Sequence, residues 1–169
     1  MKEESFVDHL FIRSGKLHIN DSVRINSYHA SFVASFLAQK LLATRQSFAF
    51  ETVMSHSSKI DLLRAAKEAG YKTYLYFVFT DSLDTNVTRV KLRAMQGEHD
   101  VNEETIKSRA PRTFALLPEA FNLAETAYII DNSFEAVAIV KKENKKITAA
   151  KIIPAIAQEV VFQILSGYP

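Results

Sequence analysis

Tyr71–Phe79 constrains the fold more than any other stretch of this 169-residue chain. It is dense in aromatic and β-branched residues and directly follows Gly70, which is suited to stop a helix before a strand. Ser57 or Ser58 can cap that preceding helix. Upstream of it, Ser47–Val53 reads as a short buried strand, because both of its alternating sets are largely apolar. Strand, helix and strand joined by short connections predict a right-handed parallel crossover.

The same reading extends along the chain. Asn26 and Ser27 cap a helix running to about Leu41, whose apolar residues Phe32, Val33, Phe36, Leu37 and Leu41 surround most of its circumference and predict packing on more than one side. Asp84 or Thr85 begins a helix that ends near Gly97. Asn102 caps a short helix carrying Glu103 and Glu104 in its first turn, and Pro111 opens another with a stripe of Phe114, Leu117, Phe121 and Ala124. Thr126–Asp131 is a third strand. Phe134–Val140 and Ile147–Lys151 form a hairpin around the charged turn Lys141–Lys146, and a last helix follows Pro154. The pattern is α/β and places ligands outside the C-terminal ends of parallel strands, where Glu51, Asp81 and Asp131 fall.

Composition narrows the function classes. Hydrophobic residues at 47% and charged residues at 24% suit one globular domain, residues 1–169, with no linker or repeat inside it. A net charge of +2 gives no overall footprint for nucleic acid or membrane, so any cationic site is local. The absence of cysteine excludes disulfides, thiolate metal sites and cysteine nucleophiles, and fits a cytoplasmic protein. No apolar run is long enough to span a membrane, and Met1–Glu4 opens no signal peptide.

Phosphate-binding loops of the form Gly-x4-Gly-Lys-Ser/Thr wrap phosphates in backbone N–H groups and hold Mg²⁺ by the hydroxyl. The nearest approach here is Ser14-Gly15-Lys16, with Leu10 at the first glycine position and Leu17 at the hydroxyl position. The match fails at both ends.

Other charged residues admit two readings. Arg89 and Arg93 are four apart and share a helix face, as a phosphate clamp or as a solvated surface. Arg109 and Arg112 straddle Pro111, as a mobile lid presenting charge to a transferring phosphoryl group or as surface cations. Glu51 follows an apolar run and needs a partner or a task. His99 and Asp100 follow Gly97 and read as a stabilised loop more readily than as metal ligands with His56. The aromatics of Tyr71–Phe79 alternate as a strand core would, rather than as a base-stacking surface.

Taken as a set and in this order, Phe48-Ala49-Phe50-Glu51-Thr52, Gly97-Glu98-His99-Asp100-Val101, Arg109-Ala110-Pro111-Arg112 and Asp131-Asn132-Ser133 resemble the zeta-toxin-like family of P-loop kinases over residues 20–133. The resemblance implies a three-layer αβα kinase fold with a mainly parallel sheet and a C-terminal hairpin and helix. It also implies ATP with Mg²⁺ as donor and, in the toxin branch, transfer to a hydroxyl of UDP-N-acetylglucosamine. Asp21 would take the acceptor proton, with Arg109 and Arg112 as catalytic lid residues. Glu51, Thr52, Arg89, His99 and Asp100 would bind the acceptor, and Arg93, Asp131 and Asn132 would lie on the nucleotide side. An antitoxin protein or a second copy is the expected macromolecular partner.

The chain departs from the family pattern at Glu98, where a second glycine stands, at Asn102 for proline, and at Ala110-Pro111 for two tyrosines. The family's first strand and phosphate loop are expected before Asp21, and the residues there do not contain them. The expectation is therefore an N-terminally incomplete kinase domain without turnover of its own, or a degenerate kinase fold that binds a nucleotide sugar or a protein.

Overall fold

A helix stopped by a left-handed glycine and followed by an aromatic strand organises the larger part of the fold. Gly70 adopts φ +81°, its N–H donates to the Lys67 carbonyl, and the strand begins at Tyr74, three residues later than its composition suggests. In the computed structural model the described residues are 9–20, 24, 26–97 and 100–167. They divide between two compact units, 1–49 and 50–169, taken in turn below.

The first unit opens with a hairpin of β1 (Leu10–Arg13) and β2 (Lys16–Ile19), paired antiparallel. Its two-residue turn is Ser14-Gly15, with φ of 53° and 72°. Positive φ at both central positions is the type I′ geometry that matches strand twist, so the near miss to a phosphate loop is a hairpin turn. Helix α1 (Ser27–Ala43) follows. The Asn26 side chain accepts from the Tyr28 and His29 N–H groups at 3.0 and 3.1 Å, and His29 Nδ1 accepts from the Asn26 N–H. These bonds satisfy donors left unpaired at the helix start. Ala38 is buried, whereas Phe32, Phe36 and Leu37 are each nearly half exposed, so α1 is not enclosed on several sides as its apolar circumference predicts.

The second unit holds α2 (Ser58–Glu68), β3 (Tyr74–Phe79), α3 (Leu83–Met95), α4 (Glu103–Leu123), β4 (Thr126–Asp131), β5 (Val137–Glu143), β6 (Lys146–Ala149) and α5 (Ala155–Leu165). The sheet order is β3-β4-β5-β6, parallel between β3 and β4 and antiparallel thereafter. Helices flank this mixed sheet, in keeping with a three-layer αβα kinase-like fold. The C-terminal hairpin turns at Asn144-Lys145, both left-handed, and the last helix begins directly after Pro154.

Alternation along β3 separates two faces. Phe77 and Phe79 join Ala127, Ile129 and Val140 in a core completed by Ile60 of α2, Leu117 and Phe121 of α4, and Val161 and Ile164 of α5. Phe114 of α4 meets both Phe77 and Phe79 edge-on, at 5.5 and 5.9 Å between ring centroids. On the opposite face Tyr74, Tyr76 and Val78 are more than half exposed, and Tyr76 stacks on Tyr128 at 5.2 Å. Only one of the two alternating sets is therefore core. The Tyr128 hydroxyl also donates to Glu143, and that hydrogen bond pushes the phenol up to about 12.

Two predicted elements differ. Residues 47–53 form no strand, so the expected crossover from that segment to Tyr71–Phe79 is not made, and the parallel pair is β3 with β4. The Val53 carbonyl instead accepts from the Thr113 hydroxyl at 2.9 Å, and Met54 turns left-handed at φ +55° to enter the core. Residues 103–123 form one helix rather than two, with Pro111 and Pro118 inside it. Proline removes the N–H that would reach the carbonyl four residues back. Side-chain donors strengthen this turn: Arg112 Nε bonds the Ser108 carbonyl at 3.1 Å, and the single Thr113 hydroxyl proton is shared between the Val53 carbonyl and the Arg109 carbonyl, 3.0 Å away.

Candidate functional site

The C-terminal ends of β3 and β4 lie side by side because Phe79 is in register with Asp131, and the Asn132 N–H extends the ladder to the Phe79 carbonyl at 2.8 Å. Beyond this rung the chain turns. Asp131 accepts both the N–H and the hydroxyl of Ser133, an Asx-type turn that fixes the end of β4. The Ser133 oxygen in turn accepts from the Asp81 N–H at 2.8 Å, which ties the loop after β4 to the loop after β3. Thr80, almost wholly buried, donates to the Ser82 carbonyl at 2.8 Å, and Ser82 caps α3 by accepting from the Asp84 N–H at 3.2 Å.

Arg89, two turns into α3, reaches this junction. Its guanidinium donates to the Ser133 carbonyl at 3.3 Å, using one of five N–H donors. The structure thus brings Arg89, Asp131 and Asn132 together at the strand ends. Arg93 lies on the same helix face, further from the strand ends, and is exposed.

A second group forms around α4. The Thr113 bond to the Val53 carbonyl holds the segment carrying Glu51 and Thr52 against the helical turn that carries Arg109 and Arg112. Thr52 Oγ1 accepts from the Met54 N–H at 3.1 Å and so shapes its own turn, while Glu51 is exposed. Arg109 and Arg112 stand in mid-helix and not at a helix boundary, which corrects the expectation that a helix begins at Pro111. Asp100 is exposed in the connection from α3 to α4. Asp21 and His99 lie outside the described residues. His56, considered as a metal ligand, accepts from the Ser58 N–H at the start of α2.

The α3–α4 pair is braced by charge. Glu103 bonds both Lys107 and Lys91 at 2.9 Å, and these contacts, Lys107 first, pull its carboxyl down to about 2. Sequence reasoning gave no bonding role to Ser133, which ties the strand-end group together, and missed Thr113, which does the same for the group around α4. An Asp-x-Ser signature after a strand was the available signal for the first. No local signal marks the second, whose partner is 60 residues away.

A magnesium nucleotide would find only part of its usual donor set here. Arg89 at the strand ends suits an anionic oxygen. Beyond that the residues present fit such a ligand poorly, because the chain has no Gly-Lys-Ser/Thr run and no cluster of three metal-ligating side chains occurs among the described residues. Nor is any helix of the described residues long and apolar enough to cross a membrane.

Residues 16–150 match the family model described as Zeta toxin. A protein of Haemophilus influenzae described only as uncharacterized is 31% identical over 62 residues, 37% of this chain and 44% of that relative, so the match covers less than half of the relative's length. No solved structure gives a significant match. With most of its length matched by one family model, and with a mixed sheet whose parallel strand ends carry the Asp131-Asn132-Ser133 turn, the chain belongs to the zeta toxin family.

Proposed function

We propose that this chain is the acceptor-binding and phosphate-clamping body of an ATP-dependent kinase that acts on a hydroxyl of a small molecule of the nucleotide-sugar class, and that these 169 residues alone bind without turning over. The observation that carries the reading is the guanidinium of Arg89 anchored to the Ser133 carbonyl at the C-terminal end of the parallel pair, the position where α/β folds receive ligands. Family membership supports the kinase class. The lack of a Gly-Lys-Ser/Thr run supports the loss of turnover, because phosphoryl transfer rests almost wholly on positioning and neutralising the transferred phosphates.

Each residue then has a role. Arg89, with Arg93 beside it, offsets phosphate charge. Glu51 and Thr52 receive acceptor hydroxyls, with His99 and Asp100 on the acceptor side. Arg109 and Arg112 neutralise charge on the transferring group, Asp21 takes the acceptor proton, and Asp131 and Asn132 shape the nucleotide side.

Calorimetric titration with UDP-N-acetylglucosamine tests this. Saturable binding is expected, weakened about tenfold or more by Glu51→Gln and by Arg89→Ala, the loss of one charge-assisted hydrogen bond each. With ATP and Mg²⁺ added, no phosphorylated sugar is expected. Binding that both substitutions leave unchanged would overturn the site, and phosphorylated product would overturn the inactivity.

A further inference from the structure

The β1–β2 hairpin carries a feature that the kinase reading does not use. Its register sets Phe11 opposite His18 and Arg13 opposite Lys16, so these four residues share one face of the ribbon. The Phe11 and His18 rings stack, with centroids 5.4 Å apart and planes inclined by 13°, and Phe11 remains 47% exposed. Phe11, Arg13, His18, Ile19 and Asn20 line an open groove of about 350 Å³, within the range of small-molecule sites.

Arg13 facing Lys16 is the informative pair. Like charges directly opposite across a two-stranded ribbon destabilise it, and both residues are exposed at the turn. No acidic residue occurs from His9 to Asn20, although Asp8 and Asp21 flank the hairpin in sequence. An anion seated between Arg13 and Lys16 removes that repulsion. Two residues along the strand, about 6.6 Å away, an aromatic pair offers a stacking surface. A cationic rung one pleat from an aromatic rung matches a phosphate and the base attached to it through its sugar.

We propose that this face of the hairpin binds a nucleotide unit, with its base against the Phe11–His18 pair and its phosphate between Arg13 and Lys16. The unit is either a free nucleotide or part of a single strand. The local cluster is compatible with the near-neutral charge of the whole chain, because two cations suffice for one phosphate.

Fluorescence anisotropy of the full chain with a labelled oligothymidylate of about eight nucleotides, across a salt series, tests the proposal. Binding is expected with a log–log salt slope of about −1.4, the value for two phosphate contacts on a single strand. Arg13→Gln or Lys16→Gln should each halve the slope. Phe11→Ala should weaken binding about tenfold, as loss of one base stack does, while Phe11→Tyr keeps a ring and retains affinity, which separates stacking from misfolding. Displacement of the strand by AMP assigns the face to free nucleotides, and binding that AMP does not displace assigns it to strands. Both outcomes support the proposal. Salt-independent binding, binding unchanged in Phe11→Ala and Arg13→Gln, or no binding of either probe overturns it. Glu51 and Arg89 are not hairpin residues, so oligothymidylate binding that Arg13→Gln weakens and that Glu51→Gln and Arg89→Ala leave unchanged separates this proposal from the kinase reading.

Discussion

Ser133 joins three parts of the chain through one small side chain and its carbonyl. Its hydroxyl donates to Asp131 and accepts from the Asp81 N–H, and its carbonyl receives Arg89. Ser133→Ala keeps the backbone turn but removes two side-chain hydrogen bonds. At about 0.5–1.5 kcal/mol each in a partly buried setting, the variant should lose about 1–2 kcal/mol in urea unfolding, with nucleotide-sugar affinity reduced because Arg89 loses a fixed seat. Stability and affinity both equal to wild type would show that the junction does not position Arg89. At this scale the sequence was readable where chemistry is local. Asn26 and Asn102 cap the helices expected of them, because an Asx oxygen and an N–H two or three residues on need no tertiary partner. The Thr113 bond to Val53 was not readable, because nothing in either residue's neighbours encodes a meeting across 60 positions.

Helix α4 shows where local rules lose to packing. Proline is welcome at a first helical position, so Pro111 reads as a start, yet the helix begins eight residues earlier at Glu103. Leu117, Ala120 and Phe121 are fully buried and Phe114 meets two β3 rings, while the first turns are braced to α3 through Glu103. Held at both ends, the helix continues through the proline. Replacing Pro111 with alanine restores an N–H and removes a residue that costs about 3 kcal/mol in an ideal helix interior. Part of that cost is already relieved in the native turn, so a gain of about 1 kcal/mol is expected, seen as a Tm rise of about 2–4 °C. A drop in Tm would mean that the native turn depends on proline. The strand expected at residues 47–53 failed for the complementary reason. Apolar alternation marks a segment that wants burial, but a strand also needs a neighbour, and the Val53 carbonyl finds a helix hydroxyl.

On the scale of the whole molecule the α/β class, the C-terminal hairpin and the final helix were legible, whereas the parallel pair was expected between the wrong segments, residues 47–53 and Tyr71–Phe79. Sheet order was not legible, because periodicity says which residues are buried and not which strands are neighbours. β3 lies at one edge of the described sheet, beside β4. It carries no lysine, proline or bulge, the devices that usually blunt such an edge. Sedimentation at rising concentration should therefore show a growing average mass, and Tyr76→Lys should suppress it. A concentration-independent monomer would show that the edge is protected by another means.

The same pairing sets a clock on synthesis. Tyr74 must wait for Thr126, about fifty residues further on, before its strand acquires a partner. At roughly 5–20 residues per second, an aromatic strand of six residues spends several seconds outside the ribosome with nothing to pair with. During that interval the growing chain depends on whatever in the cell shields apolar segments, and its yield will follow the supply of that protection more closely than the stability of the finished fold.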